Sequence, residues 1–216
     1  MKVFVGGASG RVGQVLVSLL ADEGCEVVAA SRHPLTPYSD RVHPVAFDFH
    51  ADVDAMAAAI KGCEAVYFVA GSRGTDLLQT DAFGAVKLME ACKRAGVHRF
   101  IMLSSMFATE PERWETEKGL ADLTDYNIAK FFADKWLENS GLDYTIVQAG
   151  FLAEDAPTGH IQVNPGHEGS IPLADVAAVL AEVRGLHNTY GKLIMVVSGD
   201  EPIAKALKTL ERNAVE

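Results

Sequence analysis

The sequence lacks the features that mark several specialised classes of protein. Its three cysteines, Cys25, Cys63 and Cys92, are too widely spaced to suggest a metal cluster or a disulfide framework. No apolar run approaches the roughly 20 residues of a membrane span, and no run of lysine or arginine breaks a background of net charge −10. We therefore expect a cytoplasmic protein that keeps its thiols reduced and binds neither membranes nor nucleic acids.

Two further absences concern metals and targeting. None of the seven histidines has a neighbour at metal-ligand spacing, so no metal site is expected. The first strand is predicted to begin at residue 2 or 3, which leaves no room for a signal peptide. A length of 216 residues suits one domain, predicted to span residues 1–216, and no repeat or linker divides the sequence.

The most informative stretch is found at residues 3–13, which read VFVGGASGRVG. Apolar strand-forming residues lead directly into Gly7, Gly10 and Gly13, and an apolar stretch of helical period follows. In such a strand, turn and helix, one glycine permits the tight turn, one lets the backbone approach a pyrophosphate, and one lets the helix pack on the strand. Because the first N–H groups of a helix attract phosphate, the stretch predicts a dinucleotide site.

The end of the second predicted strand, residues 26–30, indicates which dinucleotide is bound. An Asp or Glu there would hold both ribose hydroxyls of NAD, but the sequence continues with Ser31, Arg32 and His33. Arginine suits a 2′-phosphate because of its charge and its planar fork. We expect NADP to be preferred over NAD. The alternative interpretation of Arg32 is a solvated loop residue.

Residues after the third and fourth predicted strands extend this site. Asp48 and Phe49 follow the third strand, where a carboxylate could accept from the adenine amino group or equally serve as a turn or cap residue. Ala70 and Gly71 follow the fourth strand, and such small residues would let the dinucleotide lie close over the strand ends. These four positions are included in the predicted cofactor site.

Strands and helices alternate along the whole chain, which predicts a Rossmann-type α/β fold. In this arrangement a doubly wound parallel sheet carries helices on both faces. Right-handed connections place the carboxyl ends of the strands at one edge, where ligands bind. The pattern further predicts one long helix over residues 75–95, an irregular stretch over residues 107–123, and a loop on the substrate side of the site over residues 151–172.

A second group of residues follows the fifth predicted strand. Ser104 and Ser105 end that strand, and Tyr126 and Lys130 lie four residues apart in the next helix, so they share a helix face. A free phenol ionises only near pH 10, and a neighbouring ammonium favours the phenolate. Tyr126 is therefore a candidate general acid toward a carbonyl oxygen, which a serine hydroxyl would also hold. Lys130 would assist Tyr126 and donate to the nicotinamide ribose. An ordinary surface pair is the alternative.

Taken together, these motifs resemble one known family. The segments GGASGRVG at 6–13, DAFGAVKLMEACKRAGVHRFIMLSS at 81–105, YNIAK at 126–130 and SGLDYTIVQAG at 140–150 are similar to the short-chain dehydrogenase/reductase (SDR) superfamily. The similarity is to its atypical branch of small NAD(P)H-binding proteins related to the NmrA-like and biliverdin/flavin reductase groups.

The resemblance implies roles for individual residues. Ser105, Tyr126 and Lys130 would form the catalytic set. Arg32 would meet the 2′-phosphate, Asp48 would meet the adenine, and Ser104 would be a structural or cofactor-side neighbour of Ser105. The whole predicted cofactor site comprises Gly7, Ser9, Gly10, Arg11, Val12, Gly13, Ser31, Arg32, Asp48, Phe49, Ala70, Gly71, Ser104 and Lys130.

Two positions depart from the family pattern. Asp81 stands where the superfamily often has an active-site asparagine, which brings a water-mediated proton relay into question. After the sixth predicted strand, the usual Arg-Pro-Gly is replaced by Gln148, Ala149 and Gly150, so a proline contact beside the nicotinamide is lost. Both changes leave the Tyr126 and Lys130 pair in place.

The sequence therefore predicts an NADP-dependent oxidoreductase that transfers hydride between the nicotinamide and a small carbonyl, quinone or flavin-like acceptor. Two alternatives remain open. One is an NmrA-like regulator that senses NADP(H) without turnover and acts on a protein partner. The other is a sugar-nucleotide epimerase or dehydratase, although only about 65 residues follow Gly150 to build a substrate region. A monomer or a weak homodimer is expected.

Overall fold

A computed structural model describes residues 1–33, 35–37 and 39–210. The last positions of the domain predicted over 1–216 lie outside these residues. The strands are β1 (Lys2–Gly6), β2 (Glu26–Ser31), β3 (Val42–Ala46), β4 (Ala65–Phe68), β5 (Arg99–Ser105), β6 (Asp143–Ala149), β7 (Phe151–Ala153), β8 (His160–Val163), β9 (Ser170–Pro172), β10 (Lys192–Ser198) and β11 (Glu201–Pro202).

The helices lie between these strands. They are α1 (Arg11–Asp22), α2 (Val53–Ile60), α3 (Phe83–Ala95), α4 (Pro111–Trp114), α5 (Thr124–Glu138), α6 (Leu173–Glu182) and α7 (Ile203–Lys208). A π-helical turn, Leu77–Ala82, leads into α3, and short 3-10 turns occupy Ala121–Leu123, Val183–Gly185 and His187–Thr189.

The strands build a mostly parallel sheet, which confirms the predicted Rossmann-type fold. Its order is β3-β2-β1-β4-β5-β6-β10-β8-β11, and a separate pair is formed by β7 and β9. β8 is antiparallel to both of its neighbours, whereas the pairs from β3 across to β10 are all parallel. The chain leaves β1 toward β2 on one side and later continues from β4 on the other, so a crevice opens above the carboxyl ends of these strands.

Helices cover both faces of the sheet because each presents one apolar side. On one face α1 packs against α6, with a core that includes Leu16, Val17, Leu20, Val176, Val179 and Leu180. On the other face α3 packs between α2 and α5, with a core that includes Met56, Ile60, Leu88, Met89, Ala133 and Leu137. These two layers hold the carboxyl edge of the sheet in place.

The structure differs from the sequence-based expectations in two segments. The helix predicted over residues 75–95 begins instead as a π-helical turn, in which Asp76 accepts hydrogen bonds from the N–H and hydroxyl of Thr80. The loop predicted over residues 151–172 contains three short strands, because β8 pairs with β10 at the sheet edge and β7 pairs with β9. Strands of three or four residues leave little alternating pattern to detect.

Candidate cofactor and active site

The turn between β1 and α1 forms a backbone cradle. Gly7 has a φ of +94°, and a Cβ there would lie 2.6 Å from the Cα of Ala70. A Cβ at Gly13 would lie 2.2 Å from the carbonyl oxygen of Gly7, so the helix packs directly on the turn. Gly10 is the N-cap residue of α1, and no side chain of the described residues accepts a capping hydrogen bond from the first N–H groups of this helix. The first N–H groups of α1 are therefore available to an anion such as a pyrophosphate.

A cleft runs along the carboxyl edge of the sheet above this turn. Its larger part, about 440 Å³, is lined by Gly10, Arg11, Val12, Ala70, Gly71, Tyr126 and Lys130, among others. An adjoining chamber of about 250 Å³ is lined by Ser104, Ser105, Tyr126, Gly150 and a group of apolar side chains: Leu103, Met106, Leu123, Phe151 and Leu152. Tyr126 borders both parts, as do Arg11, Leu103, Leu123 and Leu152.

One face of α5 supplies Tyr126 and Lys130 to the cleft, as the four-residue spacing predicts. The Lys130 side chain is only 5% exposed. Its Nζ lies 5.6 Å from the centre of the Tyr126 ring and donates a long hydrogen bond of 3.5 Å to the carbonyl oxygen of Leu103. Ser105 and Tyr126 line the same small chamber. The structure thus brings together the three residues of the predicted catalytic set.

Asp134 continues this face of α5 by another turn and was not singled out by sequence reasoning. It is fully buried, and its Oδ2 accepts hydrogen bonds from the hydroxyl of Ser104 at 2.8 Å and from Nε2 of Gln148 at 3.0 Å. Burial raises the pKa of Asp134 to about 7, although both hydrogen bonds oppose this shift. Its place four residues after Lys130 is the signal that could have identified it.

These bonds give new roles to two residues considered in the sequence. The hydroxyl of Ser104 is directed to Asp134 rather than left free for the cofactor. Gln148, which stands in place of the family's arginine, lies within β6 rather than after it, and its Nε2 donates to the same carboxylate oxygen of Asp134. Of the two serines, Ser105 is the one whose hydroxyl makes no hydrogen bond to another described residue.

Asp81 also lies beneath the cleft. The π-helical turn places its side chain in a fully buried position, where Oδ2 accepts a hydrogen bond of 3.0 Å from the N–H of Ser72. Oδ1 lies 3.9 Å from the Nζ of Lys130. The residue that departs from the family pattern is thus an ion-pair partner of Lys130.

The predicted adenine end is more exposed than the rest of the site. Arg32 is exposed on the bend after β2, while Ser31 is buried and donates to the carbonyl oxygen of His33. Asp48 is exposed, and its Oδ1 accepts from the N–H of His50, which is the turn role that the sequence left open. Its contact with adenine stays a prediction.

Two other predicted cofactor residues do not present side chains to the cleft lining. Phe49 is buried, and its ring packs on Phe47 and Phe68 with centroid distances of 5.1 and 5.2 Å. Ser9 is exposed on the turn, where its carbonyl oxygen accepts from Gln14. Arg11, in contrast, lines both parts of the cleft and forms an ion pair with Glu154 at 3.3 Å.

The residues that the structure describes lack two features of other protein classes. Within them no helix combines the length and apolarity needed to cross a membrane. Nor do they contain a group of three or more His, Cys, Asp or Glu side chains placed to hold a metal ion.

The glycine turn, the free helix terminus and the cleft at the sheet edge define a Rossmann-fold dinucleotide-binding protein. The profile of the NAD(P)H-binding family matches residues 7–184. The chain belongs to this family, in agreement with the SDR resemblance.

Individual relatives carry differing functional names. The chain is 37% identical to a Bacillus subtilis protein named "Uncharacterized sugar epimerase YhfK", over 97% of this chain and 100% of the relative. The crystal structure of the oxidoreductase ylbE from Lactococcus lactis is 38% identical, with a TM-score of 0.96 over 100% of both chains. The anaerobillin reductase ChuY from Escherichia coli O157:H7 is 25% identical, with a TM-score of 0.78 over 93% of this chain and 98% of that one.

Proposed function

We propose that this protein is an NADP(H)-dependent oxidoreductase that transfers hydride between the nicotinamide and a small carbonyl, quinone or flavin-like acceptor. We assign the larger part of the cleft to the cofactor and call it the cofactor part; we assign the smaller chamber to the substrate. The observation that carries the proposal is that Tyr126 borders both, with Lys130 behind its ring. A proton donor at this border can act on an oxygen that is being reduced.

The residues present fit the cofactor. The turn around Gly7 leaves no space for a Cβ beside Ala70, and the start of α1 offers uncapped N–H groups to the pyrophosphate. When bound, the nicotinamide supplies or accepts the hydride. The protein binds and orients both partners and moves the proton.

The proton is handled by three side chains. The Tyr126 hydroxyl gives its proton to the acceptor oxygen as negative charge develops there, and the Ser105 hydroxyl donates a hydrogen bond to the same oxygen. Lys130 places a positive charge behind the Tyr126 ring, where it attracts the negative charge that develops on the phenolic oxygen during proton transfer. In the reverse direction the same groups accept the proton.

The remaining attributes are proposals of the same kind. Arg32 supports NADP over NAD because its exposed guanidinium can pair with a 2′-phosphate. The three cysteines, which are buried free thiols, support a reducing compartment such as the cytoplasm. We further propose a monomer or weak homodimer acting on a small-molecule substrate.

The substrate chamber argues against the epimerase alternative. Its volume of about 250 Å³ and its lining of Leu103, Met106, Leu123, Phe151 and Leu152 suit a compact apolar acceptor better than a nucleoside-diphosphate sugar. The name of the B. subtilis relative nevertheless makes sugar nucleotides a necessary part of any substrate screen.

The test is NADPH consumption against quinones, free flavins, aldehydes and nucleotide sugars, for wild type and Tyr126→Phe in parallel. We expect turnover with one of the first three classes, and a loss of about 10²- to 10⁴-fold in Tyr126→Phe. Tyr144→Phe is a matched control, because Tyr144 lies near the opposite end of the sheet, in β6. NADPH binding without any turnover would contradict the proposal and favour an NADP(H) sensor.

A further inference from the structure

The carboxylate of Asp81 is more deeply buried than any polar group that faces the cleft. Its side chain is 0% exposed, and only one of its oxygens has a hydrogen bond, from the N–H of Ser72. The other oxygen, Oδ1, has no hydrogen-bond partner among the described residues. A buried carboxylate is costly unless a charge or a donor compensates it, so the surroundings of Oδ1 should show what it does there.

The charge nearest to Oδ1 is the ammonium group of Lys130, at 3.9 Å. Lys130 is itself 5% exposed, and its other contacts are weak: a 3.5 Å hydrogen bond to the Leu103 carbonyl oxygen and the faces of the Phe68 and Tyr126 rings. Without Asp81, the ammonium would keep these contacts and a longer-range attraction to Asp134. The ion pair is therefore the main electrostatic restraint on the lysine.

The second carboxylate near Lys130 does not perform the same task. Asp134 lies one helical turn further along α5, but its Oδ2 accepts from Ser104 and Gln148 and it forms no ion pair with Lys130 within 4 Å. Its raised pKa also keeps it partly protonated at neutral pH. Asp81 is thus the carboxylate placed to balance the Lys130 charge.

The backbone around Asp81 is specialised for this contact. The residue lies in a π-helical turn, which packs against α5 before the chain continues as α3. π-Helical turns are rare and occur frequently at functional sites. Here the wide turn carries the Asp81 side chain inward, beneath Gly71, with Oδ1 3.6 Å from where a Cβ of Gly71 would lie.

We propose that Asp81 is a positioning residue that acts through Lys130: its carboxylate fixes the ammonium behind the Tyr126 ring and beside the cofactor part of the cleft. The inference rests on the proposed function of Lys130. Asp81 is fully buried and is not among the residues that line the cleft, so we expect it to act through Lys130 rather than by contact with a ligand. The 3.9 Å separation is too long for a hydrogen bond, so the lysine keeps donors free for a ribose hydroxyl.

The test is a double-mutant cycle made of Asp81→Asn, Lys130→Met and the double variant. NADPH affinity is measured by fluorescence titration, and stability is measured by thermal unfolding. The value of kcat is measured with an acceptor found in the screen. Asp81→Asn keeps the size of the side chain and an acceptor for the Ser72 N–H. We expect it to weaken NADPH binding or lower kcat about tenfold in the wild-type background and less than about twofold in the Lys130→Met background.

A purely structural role would give a different pattern. Asp175→Asn is the matched control, because Asp175 is equally buried but binds Thr158 and Gly159, far from Lys130 in the sequence and outside the cleft lining. This control should lower the melting temperature without changing NADPH affinity or kcat. The inference would be overturned if Asp81→Asn behaved like this control. It would also be overturned if Asp81→Asn had equal effects in the wild-type and Lys130→Met backgrounds. Lys130→Gln replaces Lys130→Met if the methionine variant does not fold.

The cycle also separates this inference from the proposed function. If no acceptor supports turnover, the oxidoreductase proposal fails, but coupling between Asp81 and Lys130 in NADPH affinity still supports the positioning role. If turnover is found and the coupling is absent in both measurements, the positioning role fails and the oxidoreductase proposal stands.

Discussion

Two buried cations lie near opposite ends of strand β5, and the protein holds them in different ways. At the amino end, Arg99 is buried and donates four hydrogen bonds, to the carbonyl oxygens of Asp143, Val183 and Arg184 and to the hydroxyl of Thr145. The Tyr190 ring also stacks on its guanidinium at 4.1 Å. Near the carboxyl end, Lys130 has one hydrogen bond of 3.5 Å and an ion pair of 3.9 Å.

The difference supports the proposal that a ligand binds at the carboxyl end of the sheet. A buried charge that only stabilises the fold is expected to have its partners in place, because missing partners cost free energy. Of the six buried polar side-chain atoms without a partner among the described residues, four belong to residues beside or beneath the cleft: Ser72, Asp81, Asn127 and Asp134. Sites that bind and react commonly retain such unsatisfied groups.

The largest effect should follow from removing the well-partnered cation. Arg99→Met leaves buried carbonyl oxygens without donors, and we expect a loss of roughly 3 to 5 kcal/mol in the free energy of unfolding. Burial lowers the pKa of Arg99 to about 10, so the guanidinium is charged at neutral pH and the loss should be present there. Urea denaturation measures it.

The control for this prediction is Arg41→Met. Arg41 forms a half-exposed ion pair with Glu26, and its removal should cost less than about 1 kcal/mol. NADPH affinity of the folded Arg99→Met protein should equal that of wild type. A large loss of affinity would show that the two ends of the strand are not separate in function.

A smaller effect on stability is expected from Asp134, the buried carboxyl group near the carboxyl end of the sheet. Asp134 keeps its proton in the folded state up to about pH 7, whereas a carboxyl group in the unfolded chain loses it near pH 4. The folded state therefore binds an extra proton between these values, and stability should fall by a few kcal/mol as pH rises through this window. Above pH 7 the full penalty remains.

Asp134→Asn tests this because asparagine keeps the size and can still accept from Ser104 and Gln148. The free energy of unfolding of wild type minus that of the variant should decrease between pH 4 and pH 7, so the variant gains relative stability at pH 8. Urea titrations at pH 5 and pH 8 measure the difference. Parallel pH profiles would show that Asp134 is ionised in the folded protein.

The site could be predicted from the sequence only where local patterns determine it. The glycine turn, the alternating elements and the Tyr126 and Lys130 spacing follow from local patterns, and the structure shows the fold they predict. The spacing of Asp134 from Lys130 is a local pattern, but its hydrogen bond with Gln148 joins α5 to β6 and is a tertiary contact that the spacing does not encode. Asp81 could be noticed as a departure, but its ion pair depends on a π-helical turn that resembles ordinary helix in sequence.

Removal of the exposed cation Arg32 should have an intermediate effect, on nucleotide affinity, that differs between NADPH and NADH. Arg32→Ala is expected to weaken NADPH binding about tenfold and to leave NADH binding unchanged, because only NADPH carries the 2′-phosphate. Fluorescence titrations with both nucleotides at low salt measure the ratio, and Arg41→Ala serves as a control for loss of a surface charge. Equal losses for NADPH and NADH would remove the basis for an NADP preference.

The smallest effect should come from the ion pair between Arg11 and Glu154. Both side chains are well exposed, 46% and 75%, so Glu154→Gln should change stability by less than about 1 kcal/mol. Because the change removes a negative charge and frees Arg11 at the start of α1, NADPH affinity should rise about threefold at low salt. This gain should disappear in 0.5 M salt, where the Debye length is only about 4 Å.

Glu112→Gln, in the exposed first turn of α4, is the control for removal of one acidic charge. It should leave NADPH affinity unchanged at either salt concentration. If Glu154→Gln instead weakened NADPH binding, Glu154 would be a ligand contact rather than a competitor for Arg11. The segment after β7, which carries Glu154, would then belong to the cofactor part of the cleft. The poorly partnered charges that mark the ligand site would in that case include exposed residues as well as the buried Lys130.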